Sequence, residues 1–175
     1  DINSPKKDIL CCAGTGCHAS ASNELIDNLR ALIKKNGLEN DVHVVPTGCF
    51  GFCAQGPIVK ILPDNVFYVQ VTPEDAEEII EKHVKGKEIV ERLLYVEPML
   101  KERIHDYAKM SFYAKQKRIS LRNCGLLNPE DIREYIANQG YQAIAKCLFK
   151  YTPEQVVQEV LNSGICGRGG AGFPT

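Results

Sequence analysis

Ile9-Leu10-Cys11-Cys12-Ala13-Gly14-Thr15-Gly16-Cys17 and Thr47-Gly48-Cys49-Phe50-Gly51-Phe52-Cys53 are the two stretches on which the reading of this chain turns. Each follows a short apolar run, residues 9–12 and 42–46, with the length and β-branched content of a strand. Cys12 and Cys17 are spaced C-x4-C, Cys49 and Cys53 C-x3-C, and both pairs are expected in loops at the same edge of one sheet. Four thiolates converging on one point carry too much negative charge to stay unpaired, so they call for a metal, a cluster or disulfides. Structural zinc sites favour two residues between at least one pair of cysteines, and no C-x-x-C occurs in the chain. An x4 spacing does occur in plant-type 2Fe-2S sites, where two irons lie farther apart than one zinc can bridge. A 2Fe-2S cluster is therefore the leading reading, with zinc and disulfides as alternatives.

Cys11 adjoins Cys12, and successive strand residues point to opposite faces, so only one of the two can reach the site. The x4 spacing selects Cys12. Cys124, Cys147 and Cys166 stand alone and are expected to be small buried apolar residues. His18 could replace a thiolate only as one of a pair, as in Rieske centres, and no second histidine is in place. It reads as a loop residue near the cysteines. Small residues in both loops let backbone amides, those of Gly14, Gly16 and Gly51 among them, turn toward sulfur.

Outward from these loops, Leu25, Ile26, Leu29, Leu32 and Ile33 recur at helical spacing, with Gly37 where a left-handed cap is wanted. Apolar runs at 58–62 and 66–71, parted by Pro63-Asp64-Asn65, predict a hairpin. Thr72-Pro73-Glu74-Asp75 predicts a side-chain-capped helix whose apolar face is Ala76, Ile79, Ile80, His83 and Val84. Strand, helix, three strands and helix over residues 1–96 predict an α/β layer with a four-stranded mixed sheet and a thioredoxin-like outline. Residues 97–117 lack strand periodicity and read as a surface linker with some helix. Residues 118–175 read as mostly helical, with helix starts at Asn128-Pro129-Glu130-Asp131 and Thr152-Pro153-Glu154-Gln155. Five of the 14 glycines lie from Gly164 to Gly172, and a loop so rich in glycine needs structure on both sides. The chain is expected to be the first part of a longer one.

The 175 residues are 44% apolar and 25% charged with a net charge of -1, which argues against disorder and against a nucleic-acid partner. No apolar run approaches the roughly 18 residues that span a bilayer, and residues 1–7 lack a signal-peptide core, so no membrane insertion and a cytoplasmic location are expected.

The two cysteine stretches together resemble the thioredoxin-like 2Fe-2S ferredoxin domain. Arg118-Ile119-Ser120-Leu121-Arg122-Asn123-Cys124-Gly125, Asn128-Pro129-Glu130-Asp131-Ile132 and Gly167-Arg168-Gly169-Gly170-Ala171-Gly172-Phe173-Pro174-Thr175 resemble the start of the flavoprotein subunit shared by complex I and NAD(P)-linked hydrogenases. Both in one chain resemble the beta subunit of electron-bifurcating or NADP-reducing hydrogenases, or the related formate dehydrogenase subunit. The resemblance implies an electron-transfer module in an NAD(P)H-linked oxidoreductase, with other subunits of a hydrogenase or NADH dehydrogenase complex as partners. It also implies FMN contact by Gly167, Gly169 and Gly170, with NAD(P) and a 4Fe-4S cluster held by later regions. The present chain alone is expected neither to retain FMN nor to oxidise NAD(P)H. Cys166 stands where that family usually has arginine. The alternative class is a zinc-stabilised interaction domain without redox chemistry. Gly167-x-Gly169-x-x-Gly172 also fits the dinucleotide fingerprint, but a helix and not a strand precedes it.

Overall fold

The computed structural model describes residues 7–167 and 170–174. Strand β1 (Lys7–Cys12) leads through a short helix α1 (Thr15–Ala19) into α2 (Ser22–Lys35) and back to β2 (Val42–Thr47). β3 (Val59–Leu62) and β4 (Val66–Tyr68) follow as a hairpin, and α3 (Asp75–Glu78) widens into a π-helical turn over Ile79–Lys85. The sheet order is β2-β1-β3-β4, with β1 parallel to β2 and antiparallel to β3, and β3 antiparallel to β4. This is the expected four-stranded mixed sheet. Gly37 takes φ +66° just past α2, as its place after the last helical turn requires. Thr72 does not cap α3 with its own oxygen: its amide and hydroxyl both donate to the Asp75 carboxylate, at 2.8 and 3.1 Å.

Strand alternation gives the sheet two different faces. Ile9 and Cys11 face a layer containing Leu25, Ile26, Leu29 and Ile33 of α2 and Ala76, Ile79 and Ile80 of the α3 segment. Burying each large aliphatic side chain there contributes about 1.5–3 kcal/mol. Leu10 and Cys12 face the second layer, with Cys17, Phe50, Ile58, Phe67, Tyr95, Met110 and Tyr113. The cysteine loops thus emerge beside a packed apolar floor.

Residues 97–117 differ from the expected surface linker. They carry β6 (Arg103–Ile104), paired with β5 (Tyr95–Val96), and α4 (Ser111–Ala114). Met110 and Tyr113 are buried, and buried Glu97 accepts from the Ser111 amide and hydroxyl. The chain divides into compact units at Asp131/Ile132, later than a boundary near residue 96. The second unit contains α5 (Ile132–Ala137), α6 (Gln142–Lys150) and α7 (Pro153–Asn162), the last with the expected capping box between Thr152 and Gln155. No helix among the described residues is long and apolar enough to cross a membrane.

A polar chain runs from buried Tyr68 and His83 in the first layer out to the surface at Asp64 and Lys7. The Val90 amide donates to Tyr68 Oη at 3.0 Å, Tyr68 Oη lies 2.6 Å from His83 Nδ1, and His83 Nε2 lies 3.0 Å from Asp64 Oδ2, which also accepts from Lys7 at 2.6 Å. A neutral His83 protonated on Nε2 satisfies every member. A second proton, on Nδ1, would leave the Tyr68 hydroxyl hydrogen without its acceptor. Burial lowers the His83 pKa from 6.5, against the pull of Asp64 in the other direction. Burial raises Asp64, but hydrogen bonds from Lys7 and His83 outweigh it and hold the carboxyl below 3.8. The unfolded chain therefore binds these protons more readily, so stability is complete above about pH 6.5 and falls as pH drops through that value, then again below about 4. The melting temperature should fall between pH 7 and 5, and His83→Gln should flatten that step. An unchanged slope in His83→Gln would refute the assignment.

Candidate metal centre

Because β1 and β2 are parallel, their C-terminal ends, Cys12 and Thr47, pair in register and leave the sheet side by side. Cys12 is buried at the end of β1, and Cys17 is buried on α1. Cys49 follows β2 and is half-buried; Cys53 is exposed at the start of a single 3-10 turn, Cys53–Gln55. Cys17 and Cys53 thus lie on short helical turns where loops were expected.

The two pairs meet across glycines. A side chain on Gly14 would place its Cβ 3.1 Å from Cys49 Cβ and 3.6 Å from Cys12 Sγ. One on Gly56 would lie 2.6 Å from Cys17 Sγ and 3.4 Å from the Cys53 carbonyl oxygen, and one on Gly16 would lie 3.8 Å from Cys53 Cβ. Cys49 Sγ and Cys53 Sγ are 3.6 Å apart, and the Gly51 amide donates to Cys49 Sγ at 3.2 Å. Gly51 has φ +80°, a conformation that favours glycine and turns this amide inward.

Burial, then the hydrogen bond and charge of Cys12, push the Cys17 thiol up to about 12, while the Ile58 amide pulls the other way. The hydrogen bond with Cys49 raises Cys53. Neighbouring cysteines thus oppose ionisation of Cys17 and Cys53, and a cation among the four sulfurs would offset that repulsion. Among the described residues no three metal-binding side chains surround a point that one ion could occupy. The sulfurs fall into two neighbouring pairs, Cys12 with Cys17 and Cys49 with Cys53.

Cys11 faces the opposite layer, as strand alternation required, and burial pushes its thiol up to about 12. His18 is exposed on α1 with Nε2 2.7 Å from Asn23 Nδ2. Cys124, Cys147 and Cys166 are half-buried and not enclosed as expected; Cys124 packs on Gly48. In the glycine stretch, the Gly167 amide donates to the Phe173 carbonyl at 2.7 Å, Gly170 has no neighbour where a Cβ would be, and Gly169 lies outside the described residues. The Gly167 amide is thus engaged within the stretch, while the space beside Gly170 is open.

A family model described as thioredoxin-like [2Fe-2S] ferredoxin matches residues 3–84. The chain is 42% identical over 77 residues to a 2Fe-2S ferredoxin of Clostridium pasteurianum, a match covering 44% of this chain and 76% of that one. It is 57% identical over 61 residues to NADP-reducing hydrogenase subunit HndC of Solidesulfovibrio fructosivorans, covering 35% of this chain and 12% of that protein. It is 44% identical over 57 residues to an NADH-quinone oxidoreductase subunit of Rhizobium meliloti (strain 1021), covering 33% of this chain and 14% of that protein. The match thus spans most of the ferredoxin but a small part of each larger subunit.

Proposed function

The chain belongs to the thioredoxin-like [2Fe-2S] ferredoxin family, and from that membership we propose that Cys12, Cys17, Cys49 and Cys53 hold a 2Fe-2S cluster in an electron-transfer module. The observation that carries this reading is the meeting of two cysteine pairs across Gly14, Gly16 and Gly56 at one end of the sheet. A bound 2Fe-2S cluster takes up and releases one electron at a time.

The chain's own residues set the conditions for that transfer. The Gly51 amide donates to Cys49 and so stabilises thiolate charge there. Leu10, Phe50 and Ile58 exclude water from the inner side. Cys53, at the exposed edge, gives an electron partner close approach.

The larger setting proposed is an NAD(P)-linked, flavin-dependent oxidoreductase of the hydrogenase or NADH dehydrogenase type. Residues from 118 onward would belong to its flavoprotein part, with Gly167, Gly169 and Gly170 at the FMN loop once the rest of the site is present. The resemblance of residues 118–132 and 167–175 supports this, as does identity to the two larger subunits. Other subunits of such a complex are the proposed partners, and the cytoplasm the proposed location.

Anaerobically purified chain should be reddish brown, hold about two irons and two sulfides, and give a one-electron paramagnetic signal on reduction. Stoichiometric zinc without iron would overturn the proposal.

A further inference from the structure

We infer that residues 111–125 clamp the second cysteine loop, with Tyr113 the positioning residue that holds Cys49 and Cys53 at their spacing. The inference rests on reading these cysteines as cluster ligands, and it concerns a segment beyond the family match, which ends at residue 84.

Residues 48–52 form neither helix nor strand, so no regular ladder of their own fixes them. Side chains and amides from 111–125 do so instead. Buried Tyr113 donates its hydroxyl to the Phe50 carbonyl at 3.0 Å, and Phe50 lies between the two ligands. Phe112 stacks on Phe52 with centroids 4.5 Å apart and planes at 19°, and Tyr113 meets the same ring edge-on at 5.7 Å. Arg118 lies over the other partner in this stack, 5.5 Å from the centre of the Tyr113 ring.

The far end of the segment grips the start of the loop. The Gly125 amide donates to Thr47 Oγ1 at 3.1 Å, and buried Lys60 donates to the Gly125 carbonyl at 3.2 Å. Gly125 has φ +75°, and a Cβ there would lie 2.1 Å from Phe50, so only glycine permits this approach. Cys124 Sγ lies 2.8 Å from where a Gly48 Cβ would be. Thr47, Gly48, Phe50 and Phe52 are thus each held from outside, on both sides of Cys49 and up to Cys53. Two thiolates 3.6 Å apart repel, and a loop held at these points resists the spreading that would release iron.

Tyr113→Phe tests this in the full chain, because it keeps the ring packing and removes only the hydroxyl. Iron should pass to a chelator about five-fold faster, and the signal of the reduced cluster should shift or broaden. Phe112→Leu should act in the same direction. Tyr68→Phe is the control: it removes a hydroxyl bonded to His83 on the opposite face, and should lower the melting temperature while leaving chelation and signal unchanged. Wild-type behaviour in Tyr113→Phe, or equal acceleration in Tyr68→Phe, would overturn the clamp. A wild-type chain without iron would instead overturn the ligand reading. The clamp is then read from amide exchange at residues 51–53 of the iron-free chain, which Tyr113→Phe should speed; unchanged exchange would refute it.

Discussion

Cys12→Ser is expected to strip most of the iron and the visible absorption from the purified chain, while the adjacent Cys11→Ser keeps both. The difference comes from strand geometry. β1 points Cys11 into the layer under α2, where it is fully enclosed and its Sγ lies 3.9 Å from the Ile9 carbonyl. It points Cys12 to the other face, beside Cys17 and across Gly14 from Cys49. A serine hydroxyl ionises far less readily than a thiol and is a poorer ligand for iron, so Cys17→Ser, Cys49→Ser and Cys53→Ser should lose or strongly perturb the cluster as well. Cys11→Ser carries a different cost. It buries a hydroxyl among aliphatic side chains, about 1–3 kcal/mol unless the Ile9 carbonyl accepts from it. The chain should melt earlier yet keep its spectrum. Iron analysis and absorption of the five variants measure this, and retention by Cys12→Ser with loss in Cys11→Ser would show that the ligand strand face is the opposite one.

That contrast was legible in the sequence because it depends only on alternation and spacing, which are local. The same holds for α2, whose apolar residues recur at helical spacing up to Gly37, and for the hairpin turn at residues 63–65. The helix after Thr72 was legible in place but not in chemistry, since Asp75 draws in the Thr72 amide and hydroxyl and Arg92 also donates to its carboxylate, at 2.6 Å. Nor does sequence periodicity report what covers the second face of a sheet. The bond from Tyr113 to Phe50 joins residues 63 apart, and that from Lys60 to Gly125 joins residues 65 apart. Lys60 lies inside the apolar run 58–62, and the register that sets it opposite Leu10 and Phe67 shows it facing the buried side. Residues 97–117 looked like a linker for the same reason. Phe112 and Tyr113 follow no strand or helix period, because they pack on Phe50 and Phe52 of a loop.

Removing iron should loosen the first compact unit and spare the second. The proposed ligands from residues 12–17 and 49–53 would tie together two loops that leave β1 and β2 side by side, and the contacts of 111–125 extend that tie to the clamp. Binding to the folded state alone stabilises it by mass action, about 4 kcal/mol when the effective ligand concentration is 1,000-fold above the dissociation constant. Amides of β1 and β2 that exchange through opening of the whole unit should therefore exchange on the order of a thousand-fold faster without iron. Those of the segment around Gly125 should follow them, although sequence alone would have grouped that segment with the helices beyond it. Amides of α6 and α7 belong to the unit from Ile132 onward. Their exchange should change by less than about two-fold, since no ligand energy is coupled to their opening. Hydrogen exchange with and without iron distinguishes the cases. An equal loss of protection in α6 and α7 would mean that the two units open together, and an unchanged β1 would mean that the cysteine loops are fixed by packing alone.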